Sequence, residues 1–315
     1  MRALSLHNKQ LTYSNDVPPP VPSPGEVLVK VKQAGICETD LQLARGYMQF
    51  KGILGHEFVG IAQSGIMQGQ RVVGEINCCC RNCNRCRAGL GNHCGHRTVL
   101  GIDRHDGAFA DLIALPEANL HVVPDSVSDD EAVLVEPLAA AFEILEQVDI
   151  CQTDRIVFCG DGRLALLCAK AVALTGATIH VIGKHVEKLS RFQSMGVETT
   201  LWNATQPESL YDIAIDCTGS PSGLPLALQL VRPRGKVILK TTVAADYTLS
   251  LAKIVIDEIT VIGSRCGPFD KAIEALAGQR VDLSGFITHR FPIESSLQAM
   301  EFAKCPEAFK VVLKL

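Results

Sequence analysis

Positive charge is not in excess in this sequence: 30 lysines and arginines face 34 aspartates and glutamates, for a formal net charge of −4. That balance offers no general field for nucleic acid or an anionic membrane surface. Long apolar runs are missing as well. None reaches the length of a membrane span, and the opening MRALSLHNKQ has no signal-peptide core, so a cytosolic protein with no membrane partner is expected. Internal repeats and low-complexity segments are absent too, apart from the stiff proline-rich VPPPVPSPGE.

What is present is a chain of 315 residues, too long for one ordinary core, so two domains are expected. Its 47% hydrophobic and 20% charged residues are those of a soluble globular protein. Thirteen cysteines are an odd number, and six crowd between residues 78 and 94. In a reducing compartment such a cluster points to metal ligands before disulfides.

The middle of the chain carries the plainest pattern. Ile156 to Cys159 is a short apolar run, Gly160 and Gly162 break it, and Leu164, Leu167, Cys168, Ala171 and Val172 recur at helical spacing. A second apolar strand, Thr178 to Ile182, follows, so the unit reads as βαβ with Gly160-x-Gly162-x-x-Ala165 in its turn. Gly160 allows the sharp turn, Gly162 lets the backbone approach a pyrophosphate, and Ala165 lets the helix pack close. Arg163 and Leu164 open that helix, whose free N–H groups face the phosphates.

Further strands are expected at Thr199 to Leu201, Tyr211 to Asp216, Lys236 to Lys240 and Ile259 to Ile262, with helices at Val186 to Met195 and Leu224 to Val231. Six strands complete a doubly wound sheet. Thr218, Gly219, Thr241, Ser264 and Arg265 then lie at strand C-termini, the edge where such sheets bind ligands, although turn residues of this kind are also ordinary. The closing FKVVLKL is a strand left over after a complete sheet, so it is expected to pair with the N-terminal domain.

Two ligand sets precede this unit. Cys37, His56 and Glu57 offer thiolate, imidazole and carboxylate, the donors zinc accepts when it keeps a position open, and Asp40 is placed to orient a ligand. Taken singly, each reads equally as a buried small residue or a satisfied loop histidine. Cys80, Cys83, Cys86 and Cys94 are spaced C-x2-C-x2-C-x7-C in a lobe with little else to form a core, which matches a closed structural zinc site. An iron–sulfur run would close after three residues with a proline, whereas seven intervene here. Cys78 and Cys79 are spare in this register. Glu136, inside the apolar AVLVEPLAAAFEILEQV, reads either as a surface helix-start carboxylate or as a site residue, and Glu136-Pro137 is expected to interrupt that helix.

In combination these residues resemble a known family. GICETDLQ, GHEFVG, the four-cysteine lobe, VEPLA, GDGRLA and the closing KVVLKL stand in the order found in zinc-dependent medium-chain dehydrogenases/reductases, most closely the polyol, threonine and glucose dehydrogenase branch. The resemblance implies an α/β fold: a Rossmann domain over 141–267, and a GroES-like, partly barrel-like β domain over 1–140 and 268–315 with a structural zinc lobe. It implies Cys37, His56, Glu57 and Glu136 at a catalytic zinc, Cys80, Cys83, Cys86 and Cys94 at a structural zinc, and Thr39 as the hydroxyl that touches the substrate oxygen. The expected reaction is hydride transfer between an alcohol or polyol and NAD(P), by a homodimer or homotetramer. A metal-independent quinone or enone reductase and a non-catalytic zinc protein are the rival readings.

Two positions depart from the family pattern. The proton relay's usual histidine is Gln42. At the end of the second Rossmann strand an acidic residue is replaced by Gly183-Lys184-His185, which removes the usual acceptor for the ribose 2′-hydroxyl and brings a lysine near a 2′-phosphate. NADP(H) is therefore expected ahead of NAD(H).

Overall fold

The structure is a computed structural model describing residues 1–205, 208–243 and 247–315. Its chain divides into two compact units, Met1–Glu136 with Phe269–Leu315, and Pro137–Pro268. In chain order the elements that position the sites are β1 (Glu26–Gly35), α1 (Glu38–Ala44), β2 (Glu57–Ala62), β3 (Arg71–Gly74), β4 (Leu112–Pro116), β5 (Leu120–Val122) and α2 (Val135–Gln147). The second unit continues with β6 (Arg155–Cys159), α3 (Arg163–Ala173), β7 (Thr178–Gly183), α4 (Val186–Gln193), β8 (Glu198–Leu201) and β9 (Tyr211–Asp216). It closes with α5 (Gly223–Leu230), β10 (Val231–Leu239), α6 (Ala252–Ile256) and β11 (Thr260–Gly263), after which β12 (His289–Pro292) and β13 (Val311–Lys314) rejoin the first unit.

Alternation in β1 puts Val27, Val29 and Val31 inside and leaves Lys30 and Lys32 outside, the pattern of a strand with one wet face. The strands pair in the order β5-β3-β2-β1-β13-β12, with β4 also on β1. The C-terminal strand therefore lies antiparallel on β1, with Val312 opposite Gly35, as expected for the strand left over from the other sheet. A separate small sheet frames the cysteine lobe, where Asn77–Cys78 pairs with Thr98–Leu100.

In the second unit six parallel strands run in the order β8-β7-β6-β9-β10-β11. This is the doubly wound arrangement in which the order reverses between β6 and β9. Ile156, Val157, Phe158 and Cys159 are all fully buried, because a central parallel strand is covered on both faces. On α3, Ala165, Ala169 and Ala171 are buried without bulk, which lets the helix approach the sheet closely.

One expectation about this region does not hold. The helical run is broken, but at Val133-Leu134, between the short helix Asp129–Ala132 and α2, rather than at Glu136-Pro137: the proline falls in the first turn of α2, where no intrahelical N–H donor is needed. Among the described residues, no helix is long and apolar enough to cross a membrane.

Candidate metal centres and dinucleotide edge

Cys37 stands at the N-cap of α1, and its backbone N–H donates to Asp40 Oδ2 at 2.8 Å. The other oxygen of Asp40 accepts from Gly55 N at 3.3 Å and lies 3.3 Å from His56 Nδ1. A fully buried carboxylate thus ties the helix start to the strand entry carrying His56 and Glu57. The donor atoms of Cys37, His56 and Glu57 all lie within 4.8 Å of one another.

This trio suits a metal on two physical grounds. It combines sulfur, nitrogen and oxygen, and three protein donors leave a fourth position free. His56 Nδ1 is also buried with no aligned hydrogen bond, so its contact with Asp40 is one of charge proximity. Burial is the largest single influence on His56 and opposes its protonation, but Asp40 and Cys37 together outweigh it and hold the imidazole well above its ordinary value. A metal ligated by the ring would replace that proton and leave Asp40 to orient the ligand. Thr39 Oγ1 is 3.7 Å from Cys37 Sγ, beside the trio, while the Gln42 amide turns along α1 to Glu38 at 2.9 Å.

Glu136 is not brought into that group. It sits in the first turn of α2, where free N–H groups and the helix dipole favour a carboxylate.

Glu57 has a partner that sequence inspection missed. Its Oε2 accepts from Lys310 Nζ, and both side chains are almost completely buried. Register explains the meeting: Glu57 opposes Gly35 on β1, Val312 opposes Gly35 from the other side, and Lys310 enters β13 just before it. A lysine at the head of an apolar strand was the available signal.

The second set is Cys80, Cys83, Cys86 and Cys94. Their sulfurs are separated by 3.5 Å (Cys83–Cys86), 3.5 Å (Cys94–Cys80), 3.8 Å (Cys83–Cys94) and 3.9 Å (Cys80–Cys86). A tetrahedral zinc with ordinary Zn–S bonds needs sulfur edges of about 3.8 Å. The backbone N–H groups of Cys80 and His96 bring Cys94 down to about 6, whereas burial and the crowding of Cys83 and Cys94 push Cys86 up to about 12. Thiols that close disagree about where their protons belong, and a cation that accepts all four as thiolates removes the conflict. Cys78 stands apart. It accepts from Asn119 Nδ2 at 3.8 Å, and burial pushes it up to about 12.

The dinucleotide candidates gather at the C-terminal edge of the parallel sheet. Gly160 follows β6 with φ of +116°, and a Cβ there would meet Cys217 O at 2.8 Å, so only glycine fits this turn. Gly162 caps α3, and Arg163 and Leu164 open it. Thr218 N and Oγ1 both donate to Asp216 Oδ1, and Gly219 N donates to Thr241 Oγ1 at 3.1 Å. Ser264 accepts from the buried Lys240 at 3.1 Å, and Arg265 follows β11 with its guanidinium 3.7 Å from Cys266 Sγ.

Two family models match this chain. An alcohol dehydrogenase GroES-like domain covers residues 23–125, and a zinc-binding dehydrogenase domain covers residues 162–278. The chain belongs to the zinc-dependent medium-chain dehydrogenase/reductase family. It is 28% identical to a sorbitol dehydrogenase of Halalkalibacterium halodurans and 29% identical to an L-threonine 3-dehydrogenase of Chelativorans sp. Each alignment spans 94% of this chain and 93% of the relative. A solved Escherichia coli CFT073 short chain alcohol dehydrogenase complexed with NADH superimposes with a TM-score of 0.92 at 25% identity, over 100% of this chain and 99% of that one. The protein is accordingly an oxidoreductase of the zinc-dependent alcohol, polyol and threonine dehydrogenase family.

Within this dehydrogenase, the end of β7 differs from what the sequence implied. Gly183, Lys184 and His185 are there as expected, but a carboxylate stands beside them: Asp161, the middle residue of the glycine turn, accepts from Lys184 N and His185 N. The expectation of NADP(H) rests on Gly183, Lys184 and His185 alone, without this carboxylate. An acidic residue between the two glycines was the signal for it.

The Glu57–Lys310 pair carries a stability prediction for this dehydrogenase. Lys310→Met should lower unfolding free energy by about 3–5 kcal/mol in urea denaturation, because it strands a buried carboxylate, while Glu57→Gln/Lys310→Met should recover most of the loss. A single variant within about 1 kcal/mol of wild type would show that the pair is not a buried charge pair.

Proposed function

We propose that this chain oxidises a secondary alcohol or polyol, and reduces the matching carbonyl, with a nicotinamide dinucleotide. The observation that carries the reading is the Cys37, His56 and Glu57 trio, three mixed donors with one position free, on a chain that holds its four-thiol set elsewhere. Zinc supplies Lewis acidity towards the substrate oxygen, and the coenzyme supplies the hydride acceptor.

The chain's own residues do the rest. Cys37 and His56 hold the catalytic ion, and Asp40 keeps the imidazole oriented. Glu57 gives one oxygen to Lys310 and offers the other to the metal. The further carboxylate that the resemblance implies, Glu136, stands outside the trio, which leaves the open position to the substrate oxygen. Thr39 Oγ1 would accept the substrate hydroxyl proton as its own hydroxyl proton passes to water, since the Gln42 amide is neither acidic nor basic enough to relay a proton near neutral pH. Cys80, Cys83, Cys86 and Cys94 hold a structural zinc.

Gly160, Gly162, Arg163 and Leu164 receive the pyrophosphate at the start of α3. Gly183, Lys184 and His185 border the adenosine ribose, and Thr218, Gly219, Thr241, Ser264 and Arg265 line the remaining coenzyme edge. The choice between NAD(H) and NADP(H) turns on the end of β7, where Lys184 favours a 2′-phosphate and Asp161 opposes it.

The test is a panel of secondary alcohols, polyols and hydroxy amino acids with NAD and NADP in parallel, read by nicotinamide absorbance. Coenzyme reduction that disappears on chelation is expected. No reduction across the panel with zinc fully loaded would refute the reading, and full activity with a single zinc per chain would favour a metal-independent reductase.

A homodimer or homotetramer is proposed from the edge strand. Among the described residues β11 pairs only with β10, and Val255 and Ile256 on the preceding α6 are 74% and 77% exposed. An apolar surface beside an open strand edge suits a second copy. A monomer mass by light scattering at micromolar concentration would remove this proposal.

A further inference from the structure

The turn Gly160-Asp161-Gly162 ends β6, and Gly183 ends β7 next to it in the parallel sheet. Asp161 is 7% exposed. Its Oδ2 accepts from Lys184 N at 2.6 Å and His185 N at 2.7 Å, and His185 Nδ1 lies 3.1 Å from both oxygens. A Cβ built at Gly183 would stand 2.6 Å from both Cβ and Oδ2 of Asp161. No side chain at position 183 can coexist with Asp161 as it is placed. This kind of fold presents a carboxylate to the ribose from the strand end; here that end is Gly183, and the carboxylate beside it belongs to Asp161 of the glycine turn.

We propose that Asp161 is the coenzyme-selecting residue of this chain, accepting from the adenosine ribose and disfavouring a 2′-phosphate, so that NAD(H) is bound in preference to NADP(H). The proposal rests on the dinucleotide reading above and deepens it. Three observations support it. Among the described residues Oδ1 takes the His185 ring alone, which leaves lone pairs for a hydroxyl donor. The N–H groups of Lys184 and His185, which would otherwise meet a phosphate at the start of α4, are already committed to Asp161. The Lys184 ammonium lies over the Trp202 ring, 5.0 Å from its centroid, and so is engaged by an aromatic face.

A phosphate dianion placed beside Asp161 would meet a like charge and find its backbone donors occupied. A ribose hydroxyl would meet an acceptor.

The test is fluorescence titration of the zinc-loaded protein with NADH and with NADPH, in wild type, in Asp161→Asn, and in the double variant Asp161→Gly/Gly183→Asp. The double variant moves the carboxylate to the strand end while clearing the space it needs. Wild type should bind NADH at least about tenfold more tightly than NADPH, the worth of a hydrogen bond to a charged acceptor. Asp161→Asn should lower that preference by roughly tenfold, and the double variant should restore it.

Tighter NADPH binding by wild type, or a preference unchanged in Asp161→Asn, would overturn the proposal and leave the dinucleotide reading standing. Failure of wild type to bind either coenzyme would overturn the dinucleotide reading itself and the proposal with it. Should Asp161→Asn not fold, Asp161→Gly decides: loss of NADH preference supports the proposal, and an unchanged preference refutes it.

Discussion

Replacing Cys37 by alanine is expected to lower kcat by at least about 10³-fold, the equivalent of roughly 4 kcal/mol of transition-state stabilisation. Among the described residues the side chain is one of three donors within 4.8 Å of one another, and His56 and Glu57 alone form a weak bidentate site. Zinc by elemental analysis should fall from two ions per chain to one, in line with the two donor groups. Coenzyme affinity should change by less than about twofold, because the dinucleotide edge is built from 160–265 and shares no residue with the trio. Turnover that survives with one zinc per chain would transfer the chemistry to the metal-independent reading. Loss of coenzyme binding together with turnover would indicate a folding defect.

Cys94→Ala is expected to act in the opposite sense, on stability before chemistry. Cys94 is the fully buried member of the four-thiol set, and its sulfur lies 3.5 Å from Cys80 and 3.8 Å from Cys83. The segment around it, Asn84–Arg87 and Gly91–His93, consists of single turns with no buried residue in either. Such a lobe has almost no core of its own, so the ion must provide most of its folding free energy. The first thermal transition should drop by roughly 10 °C, and limited proteolysis should begin between residues 79 and 97. Zinc content should fall to one ion, with kcat at low temperature retained within about threefold. An unchanged melting curve would mean that the four cysteines are not a structural site.

These two variants probe different ligand logics. The trio is open and mixed, and its loss removes chemistry. The four thiols are closed and uniform, and their loss removes structure. The distinction is legible in residue type alone, because a site that keeps a position for substrate cannot spend four thiolates on the protein.

Much of the architecture is readable from local pattern. The apolar run at 156–159, the glycine turn and the helical spacing that follows lie within twenty residues, and β6, α3 and β7 form where that pattern places them. The C-x2-C-x2-C-x7-C spacing likewise contains its own closure, since the ligands are near neighbours in the chain. Six strands separated by helical segments are enough to imply a doubly wound sheet, and the observed order β8-β7-β6-β9-β10-β11 is consistent with it.

Other features were decided only in three dimensions. Glu57 and Lys310 are 253 residues apart, and nothing short of the register of β2, β1 and β13 could pair them. Glu136 lies in the first turn of α2 and outside the trio, which its position in the chain does not disclose. The end of β7 reads as lacking a carboxylate because sequence spacing compares a residue with its neighbours along the strand. Asp161 arrives there from the adjacent strand's turn, into space that exists only because position 183 has no side chain. Short-range periodicity determined which elements form and which residues carry the chemistry. Register and close packing determined which distant charges meet, because the energy of burying a carboxylate depends on what lies across the sheet from it rather than on what precedes it in the chain.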